Sequence, residues 1–232
     1  MKSKIAIIGE FKPTSRSHIT LNEALDHIKT SCGLEFDPEW IDTARVESEG
    51  EALLRSFAGI WSPPGGAFKS LRGTLQAIQY AREHDVPHLA TCGGFQHTIV
   101  EFARNLQGID GAQHEEYEPA ASNLVISRLT CSLVGLAGKV YIRKGTRAYA
   151  SYGVAETEED FFCSFGINPQ FRERLTNPQL VFSGTDEDQD IRIAELQGHK
   201  FFLATLYVPQ TRSTPDVPHP LIRDFIKAAV ED

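Results

Sequence analysis

A cysteine followed by two glycines is the feature of the sequence that points most directly to chemistry. Cys92-Gly93-Gly94 follows an apolar run and precedes a helical pattern. A side chain in a sharp turn from strand to helix projects above the sheet, and small neighbours let other backbone approach it. The helix N-terminus favours a thiolate, and the N–H of Gly93 is free to bind an oxyanion. The pattern predicts a nucleophile at Cys92; the alternative is a small buried apolar side chain, the usual role of a free cysteine.

A second glycine turn is expected to face this cysteine. Gly65-Gly66 follows the apolar segment 59–62, so it should lie at the carboxyl end of a neighbouring strand. In open α/β sheets, ligands bind beyond the carboxyl ends of the strands. A flexible Gly-Gly there can offer a further N–H to a tetrahedral intermediate. Taken alone, the turn is equally typical of an ordinary loop, because Pro-Gly is a common turn dipeptide.

The elements that must position these turns change character along the chain. In the first half, strands alternate with helices, which predicts right-handed crossovers and a parallel sheet covered on both faces. In the second half, strands follow one another up to a final helix, which predicts antiparallel additions. Together these predict one α/β domain over residues 1–232, with a flavodoxin-like open sheet. The predicted strands are 4–9, 34–42, 59–62, 87–91, 123–129, 139–143, 180–183, 190–196 and 200–207, and the predicted helices are 18–31, 47–57, 71–84, 93–106 and 218–230.

Composition excludes several classes of function. The formal net charge is −8 and there is no run of Lys or Arg, so neither nucleic acid nor an anionic membrane surface is an expected partner. The apolar stretches fall far short of the ~20 residues that cross a bilayer. The basic start lacks the apolar region of a secretory signal, so we expect a cytoplasmic protein. The 4 cysteines form no CxxC pair, which indicates reduced thiols, and no spacing suits a metal. We expect no metal and no cofactor.

Eight short strings occur in an order that resembles the class I glutamine amidotransferase family, and within it the C-terminal glutaminase domain of the CTP synthases. The resemblance covers essentially the whole chain, and the strings at 80–83 and 101–105 are specific to that domain. It implies the fold of that family and a place in pyrimidine metabolism. The strings are Pro64-Gly65-Gly66, Arg72-Gly73, Tyr80-Ala-Arg-Glu83, Val86-Pro87, Cys92-Gly93-Gly94-Phe95-Gln96, Glu101-Phe-Ala-Arg-Asn105, Glu115-Glu116-Tyr117 and Pro218-His219-Pro220-Leu221.

The resemblance also implies roles for individual residues. Cys92 would attack a carboxamide, and Gly66 and Gly93 would donate N–H groups to the oxyanion. The residues implied to contact the substrate are Gly65, Phe68, Gln96 and Glu116. The carboxylate of Glu116 suits a substrate ammonium. Without the resemblance, Gln96 and Glu116 would be ordinary solvated residues.

Two departures from the family pattern bear on activity. A late strand of the family ends in His-Pro-Glu, where the histidine takes the thiol proton and the glutamate orients the imidazole. The matching positions here are Val208-Pro209-Gln210, which offer neither a base nor an anionic orienter. The arginine that clamps the α-carboxylate of glutamine in the family is replaced, most simply by Ser164. Such a contact contributes a few kcal/mol of binding, about what charge-assisted hydrogen bonds supply, so free glutamine is a doubtful substrate.

Two interpretations stay open. In the first, the chain is an amide hydrolase in which another histidine replaces the base; His114 is preferred, because the resemblance places it near the pocket. His97 follows Gln96 on the helix and is expected to point away from the nucleophile. In the second, the chain is a catalytically impaired binding or regulatory module on the same fold.

The partners expected from the sequence follow from the same reasoning. A small amide, glutamine-like or altered, would be the substrate. The chain has no G-x-x-x-x-G-K-[ST] phosphate loop, so no amidoligase half is expected in it. Released ammonia would then pass to a separate synthetase subunit. Association into a homo-oligomer stays open.

Overall fold

A nine-stranded sheet forms the centre of the molecule. The computed structural model describes residues 2–231, and in it this sheet has the order β2-β1-β3-β4-β12-β11-β10-β7-β8, beside a small sheet β5-β6-β9. The strands are β1 (Ser3–Ile8), β2 (Phe36–Ile41), β3 (Gly59–Ser62), β4 (His88–Thr91), β5 (Gln113–His114), β6 (Leu124–Arg128), β7 (Leu136–Ile142), β8 (Glu156–Phe161), β9 (Phe165–Ile167), β10 (Leu180–Thr185), β11 (Ile191–Leu196) and β12 (Phe202–Thr205).

Pairing in the large sheet divides it into a parallel and an antiparallel part. The pairs β1–β2, β1–β3, β3–β4 and β4–β12 are parallel. The pairs β12–β11, β11–β10, β10–β7 and β7–β8 are antiparallel. The predicted α/β class, with a parallel core and antiparallel additions, is confirmed. Because β3, β4 and β12 are parallel neighbours, the loops after all three meet at one edge of the sheet.

Helices cover both faces of this sheet. Ile5 and Ile7 of β1 belong to one hydrophobic core, and Ala6 and Ile8 to the other, because successive side chains of a strand point to opposite faces. The first core includes side chains of α1 and α7, and the second includes those of α2, α4 and α5. The helices are α1 (Arg16–Cys32), α2 (Thr43–Glu49), α3 (Glu51–Leu54), α4 (Leu71–Glu83), α5 (Gly93–Asn105), α6 (Arg147–Tyr152) and α7 (Pro220–Val230).

Several local features differ from the expectations. The helix predicted over 47–57 is two helices, because Gly50 between them has φ +57° and a non-helical ψ. The short helix α6 and the strands β5, β8 and β9 were missed. β8 reads Glu-Thr-Glu-Glu-Asp-Phe, a composition depleted in strand formers; it is tolerated at the edge of the sheet, where pairing with β7 supplies its hydrogen bonds.

No helix within residues 2–231 is both long and apolar enough to cross a membrane.

Candidate active site

Cys92 occupies the sharp turn between β4 and α5. Its backbone has φ +52° and ψ −106°, a conformation that costs a non-glycine residue about 1–3 kcal/mol and is found at functional sites. The N–H of Cys92 donates to the carbonyl oxygen of Thr205 at 2.8 Å, so the turn is tied to the neighbouring strand β12. The structure therefore builds the strand-to-helix turn predicted from the sequence.

Close backbone packing explains why glycines follow Cys92. A Cβ atom at Gly93 would overlap the carbonyl oxygen of Gly65, and one at Gly94 would overlap that of Ser62. The turn after β4 and the glycine loop after β3 are thus in direct contact. Gly93 is the first residue of α5, so its N–H has no partner within the helix and remains free for an anion.

Two side chains, Phe68 and His18, contact the glycine loop and hold it in place. The ring of Phe68 lies 2.9 Å from the position a Cβ would take at Gly65. His18 Nδ1 accepts the N–H of Lys12 at 3.1 Å, so its Nε2 carries the proton and donates to the Pro64 carbonyl at 2.9 Å. Burial lowers the pKa of His18. The role of His18 could not be predicted from the sequence, because its partner Pro64 lies 46 positions away.

A cavity of about 250 Å³ opens between these turns and the segment after β8. Five of the predicted site residues line it, namely Gly65, Gly66, Cys92, Gln96 and Glu116. Gly93 adjoins it through Cys92. Phe68 was expected to contact substrate, but it is buried under the loop and is not among the lining residues. The other lining residues are Ser17, Pro64, Phe162, Cys163, Ser164 and Phe165.

His114 does not face the thiol. Its Nδ1 accepts the backbone N–H of Glu116 at 3.0 Å, so its Nε2 carries the proton and donates to Gln96 Oε1 at 3.0 Å. Burial is the main cause that lowers the pKa of His114 to about 3, and the charge of nearby His97 lowers it further. The expectation that His114 replaces the missing base is therefore corrected. Both of its ring nitrogens are engaged, and it holds Gln96 and Glu116 in place.

Gln96 and His97 point in the directions expected from helical geometry. Gln96 lines the cavity, and its Nε2 donates to the Phe165 carbonyl at 2.9 Å. His97 is fully buried, and its Nε2 pairs with the hydroxyl of Tyr117 at 3.0 Å. That hydroxyl also accepts the N–H of Phe68 at 2.9 Å. Burial lowers the pKa of His97 to about 4, so a neutral His97 braces the glycine loop through Tyr117 instead of contacting the thiol.

A second cysteine lies against the first. The Sγ atoms of Cys92 and Cys163 are 2.6 Å apart, and Cys163 Sγ also donates to the Leu206 carbonyl at 3.0 Å. Burial raises the pKa of the Cys163 thiol well above its usual value. This contact could not be predicted from the sequence, because 71 positions separate the two residues.

Val208 and Gln210, which the resemblance matched to the histidine and glutamate of the family, are both packed inside the structure. Val208 is fully buried, and its N–H donates to the Asp160 carbonyl at 2.9 Å. Gln210 is also buried, and its Nε2 donates to the Ser17 carbonyl at 3.1 Å. Among the described residues that line the cavity there is no histidine, lysine or arginine. Glu116 is the one carboxylate there, so the cavity carries negative charge.

No group of three or more His, Cys, Asp or Glu side chains in the described part of the chain could hold a metal ion. The cavity brings together the Cys92 thiol, the backbone of the Gly65-Gly66 loop, the Gln96 amide and the Glu116 carboxylate, and the first residue of α5, Gly93, follows Cys92 directly. This set of groups suits attack on a carbonyl carbon and stabilisation of the resulting oxyanion.

The fold and this site define a class of protein. The family model for glutamine amidotransferase class I matches residues 17–228, so the chain belongs to the class I glutamine amidotransferase family, an enzyme family of glutamine hydrolysis. The resemblance inferred from the sequence is confirmed.

Within this family, the chain is similar to CTP synthases. The chain is 36% identical over 239 residues to the CTP synthase of Pyrococcus furiosus, covering 98% of this chain and 44% of that protein. It is also 36% identical over 243 residues to the CTP synthase of Lactococcus lactis subsp. lactis, covering 100% of this chain and 45% of that protein. The chain thus spans a little less than half the length of the relatives it matches.

Solved structures support the fold assignment. The Trypanosoma brucei CTPS glutaminase domain with bound acivicin superposes with a TM-score of 0.92 at 23% identity, covering 100% of this chain and 95% of that one. A glutamine amidotransferase from Thermotoga maritima superposes with a TM-score of 0.64 at 10% identity and covers 100% of both chains. At these identities the likeness concerns the fold alone.

Proposed function

We propose that the site hydrolyses the carboxamide of a small substrate through a thioester on Cys92. The sulfur attacks the carbonyl carbon, and the oxyanion is held by the N–H groups of Gly66 and Gly93. The C–N bond then breaks, and the thiol proton leaves with the nitrogen as ammonia. Water cleaves the thioester, releasing a carboxylic acid and restoring the thiol. The observation that carries this proposal is the strained turn at Cys92, whose sulfur lines a cavity shared with Gly66 and Glu116.

The charge of the cavity indicates the substrate class. Glu116 can accept hydrogen bonds from an ammonium group, and Gln96 is oriented by His114 and the Phe165 carbonyl to bind a polar group beside it. The described lining residues offer no cation to an α-carboxylate. An amide that carries an ammonium group but no carboxylate therefore fits better than glutamine itself.

The destination of the ammonia is part of the same proposal. The curated relatives in the comparison are CTP synthases, so a synthetase of that type is the expected acceptor. Co-purification tests whether a synthetase subunit binds this chain.

A matched set of amides tests the proposal. L-glutamine carries both an ammonium and a carboxylate, 4-aminobutanamide keeps only the ammonium, and 4-carbamoylbutanoate keeps only the carboxylate. We expect ammonia release to be fastest with 4-aminobutanamide and slowest with 4-carbamoylbutanoate. Cys92→Ala should abolish release from all three, whereas Cys131→Ser, which alters an exposed thiol, serves as the matched control. Equal rates for wild type and Cys92→Ala would end the proposal.

Glu116→Gln tests the substrate preference within this assay. A charge-assisted hydrogen bond contributes about 1.5–3 kcal/mol, so kcat/KM for 4-aminobutanamide should fall about 10- to 100-fold. The rate with 4-carbamoylbutanoate should not fall, because that substrate brings no ammonium. An equal loss for both substrates would show that Glu116 does not recognise the cation.

One observation favours a second function, that of a binding or regulatory module. No histidine is among the described residues lining the cavity, and general bases typically contribute about 10²- to 10⁴-fold to the rate. Calorimetric titration of the three amides distinguishes the two functions. A module binds 4-aminobutanamide without releasing ammonia, whereas the hydrolase releases ammonia in a Cys92-dependent manner.

A further inference from the structure

The contact between the two cavity cysteines goes beyond amide hydrolysis. Cys92 and Cys163 come from opposite walls, one from the turn before α5 and the other from the segment after β8, yet their sulfurs are 2.6 Å apart. A disulfide bond measures about 2.05 Å, so a small movement brings the two atoms to bonding distance. Both cysteines are free thiols in the structure.

Solvent reaches the two cysteines from the cavity alone. Both residues line the cavity of about 250 Å³, although their exposed fractions are 7% and 2% respectively. A small reagent can therefore reach the pair only through the cavity. The hydrogen bond from Cys163 to the Leu206 carbonyl keeps Cys163 protonated and turned toward the protein. Cys92, at the N-terminus of the 13-residue helix α5, is the sulfur placed to react first.

We propose that Cys92 and Cys163 form a redox-active dithiol that is converted to an internal disulfide by low-molecular-weight disulfides. The Cys92 thiolate attacks one sulfur of the reagent, forming a mixed disulfide and expelling one thiolate, which takes up a proton. Cys163 then loses its proton to the solvent and attacks the Cys92 sulfur. The mixed disulfide breaks, and the second reagent thiolate leaves and is protonated. In total, two protein thiols are oxidised and one small disulfide is reduced to two thiols.

The placement of Cys163 distinguishes this pair from an isolated reactive cysteine. An isolated thiol stops at the mixed disulfide, whereas a second sulfur in contact resolves it. Cys163 lies in the wall opposite Cys92, and the described residues that line the cavity include no nitrogen base. The contact between the two sulfur atoms therefore suits thiol–disulfide exchange, which needs a second thiol rather than a nitrogen base.

Intact mass spectrometry tests the proposal in the full chain carrying Cys32→Ser and Cys131→Ser, which leaves only the two cavity thiols. After incubation with cystamine, a small disulfide with two ammonium groups that suits the charge of Glu116, this protein should lose two hydrogen atoms, and proteolysis should yield one peptide pair linking Cys92 to Cys163. Alkylation by iodoacetamide should be lost, and dithiothreitol should restore both thiols. Under the same conditions Cys163→Ser should stop as the cysteamine mixed disulfide on Cys92, and Cys92→Ala should not react.

Two results would overturn the proposal. The first is a stable mixed disulfide in the protein that retains both cavity cysteines. The second is an unreacted protein whose circular dichroism shows it to be folded. Because mass is measured rather than turnover, a failure of amide hydrolysis leaves the disulfide result readable, and a failure to form the disulfide leaves the hydrolysis result readable.

Discussion

The two walls of the cavity differ in what holds them. The elbow wall, formed by the turn at Cys92 and the loop at Gly65 and Gly66, is built from backbone packed on backbone, and small residues are required there. The facing wall is formed by Phe162, Cys163, Ser164 and Phe165, and the buried segment 208–210 is hydrogen-bonded to the end of β8 just before it. The side chains of these segments pack or bond to nearby carbonyl groups. The first wall tolerates little change in volume; the second can exchange chemical groups without changing the backbone path.

This difference would allow the fold to keep the nucleophile that we propose at Cys92 without a histidine base beside it. The elbow geometry depends on the order of strands and on close contact between turns, so any change there costs folding free energy. A histidine on the facing wall contributes a proton acceptor, which the fold does not need. In this chain Val208 is a buried core residue and Gln210 bonds to the Ser17 carbonyl, so both positions now serve packing.

The largest effect is expected from restoring the base. Val208 lies three residues after Thr205, which pairs with Thr91 in the parallel register of β12 and β4, so a histidine there emerges at the edge that carries Cys92. Val208→His with Gln210→Glu should raise kcat/KM for amide hydrolysis about 10²- to 10⁴-fold, measured as ammonia release. Because Val208 is fully buried, circular dichroism should first show that the double variant is folded. Adding Cys92→Ala supplies the control, and a folded variant with an unchanged rate would contradict the distinction between the walls.

The next effect concerns the packing of the elbow wall. In Gly93→Ala, the new methyl group would overlap the Gly65 carbonyl oxygen, and backbone cannot move aside as a side chain can. We expect the free energy of unfolding to fall by about 3 kcal/mol, measured by urea denaturation. The matched control is Gly138→Ala on β7, where the new methyl group meets only the Phe161 ring, at 3.3 Å; a change within about 1 kcal/mol is expected. Equal losses in both variants would show that the elbow is not unusually constrained.

The smallest effect concerns the strand that carries the elbow. His88 on β4 is fully buried, with its Nε2 at 3.0 Å from Ser62 Oγ. Burial, together with the charge of nearby His199, lowers the pKa of His88 to about 3. The unfolded chain takes up a proton near pH 6.5 and the folded chain does not, so stability is complete above that pH and falls as the pH decreases toward 3. Between pH 7 and pH 5 this histidine should account for about 2 kcal/mol of lost stability.

Urea denaturation of two matched variants measures that contribution. In His88→Gln the free energy of unfolding should fall between pH 7 and pH 5 by about 2 kcal/mol less than in the wild type. In His84→Gln, which changes a largely exposed histidine, the loss should match that of the wild type. A wild-type pH dependence in His88→Gln would show that His88 does not titrate on unfolding.

Local features of this protein could be predicted from the sequence because they depend on neighbouring residues. The elbow follows from an apolar strand, Cys92 and two glycines in succession, and the strand-helix alternation of the first half predicts the parallel sheet. The proposed absence of the usual base rests on one string of the sequence, Val208-Pro209-Gln210. The acidic strand β8 was missed, because pairing with β7 at a sheet edge overrides the weak strand preference of its residues.

The tertiary structure decided the contacts between distant segments. It turned His114 toward Gln96 rather than the thiol, placed His18 under the glycine loop, and brought Cys163 against Cys92. These contacts depend on the order of strands in the sheet and on how side chains from separate loops fill one cavity. Periodicity and spacing report on a residue's own helix or strand, so the sequence predicted a nucleophile at Cys92, while only the assembled sheet brought Cys163 against it.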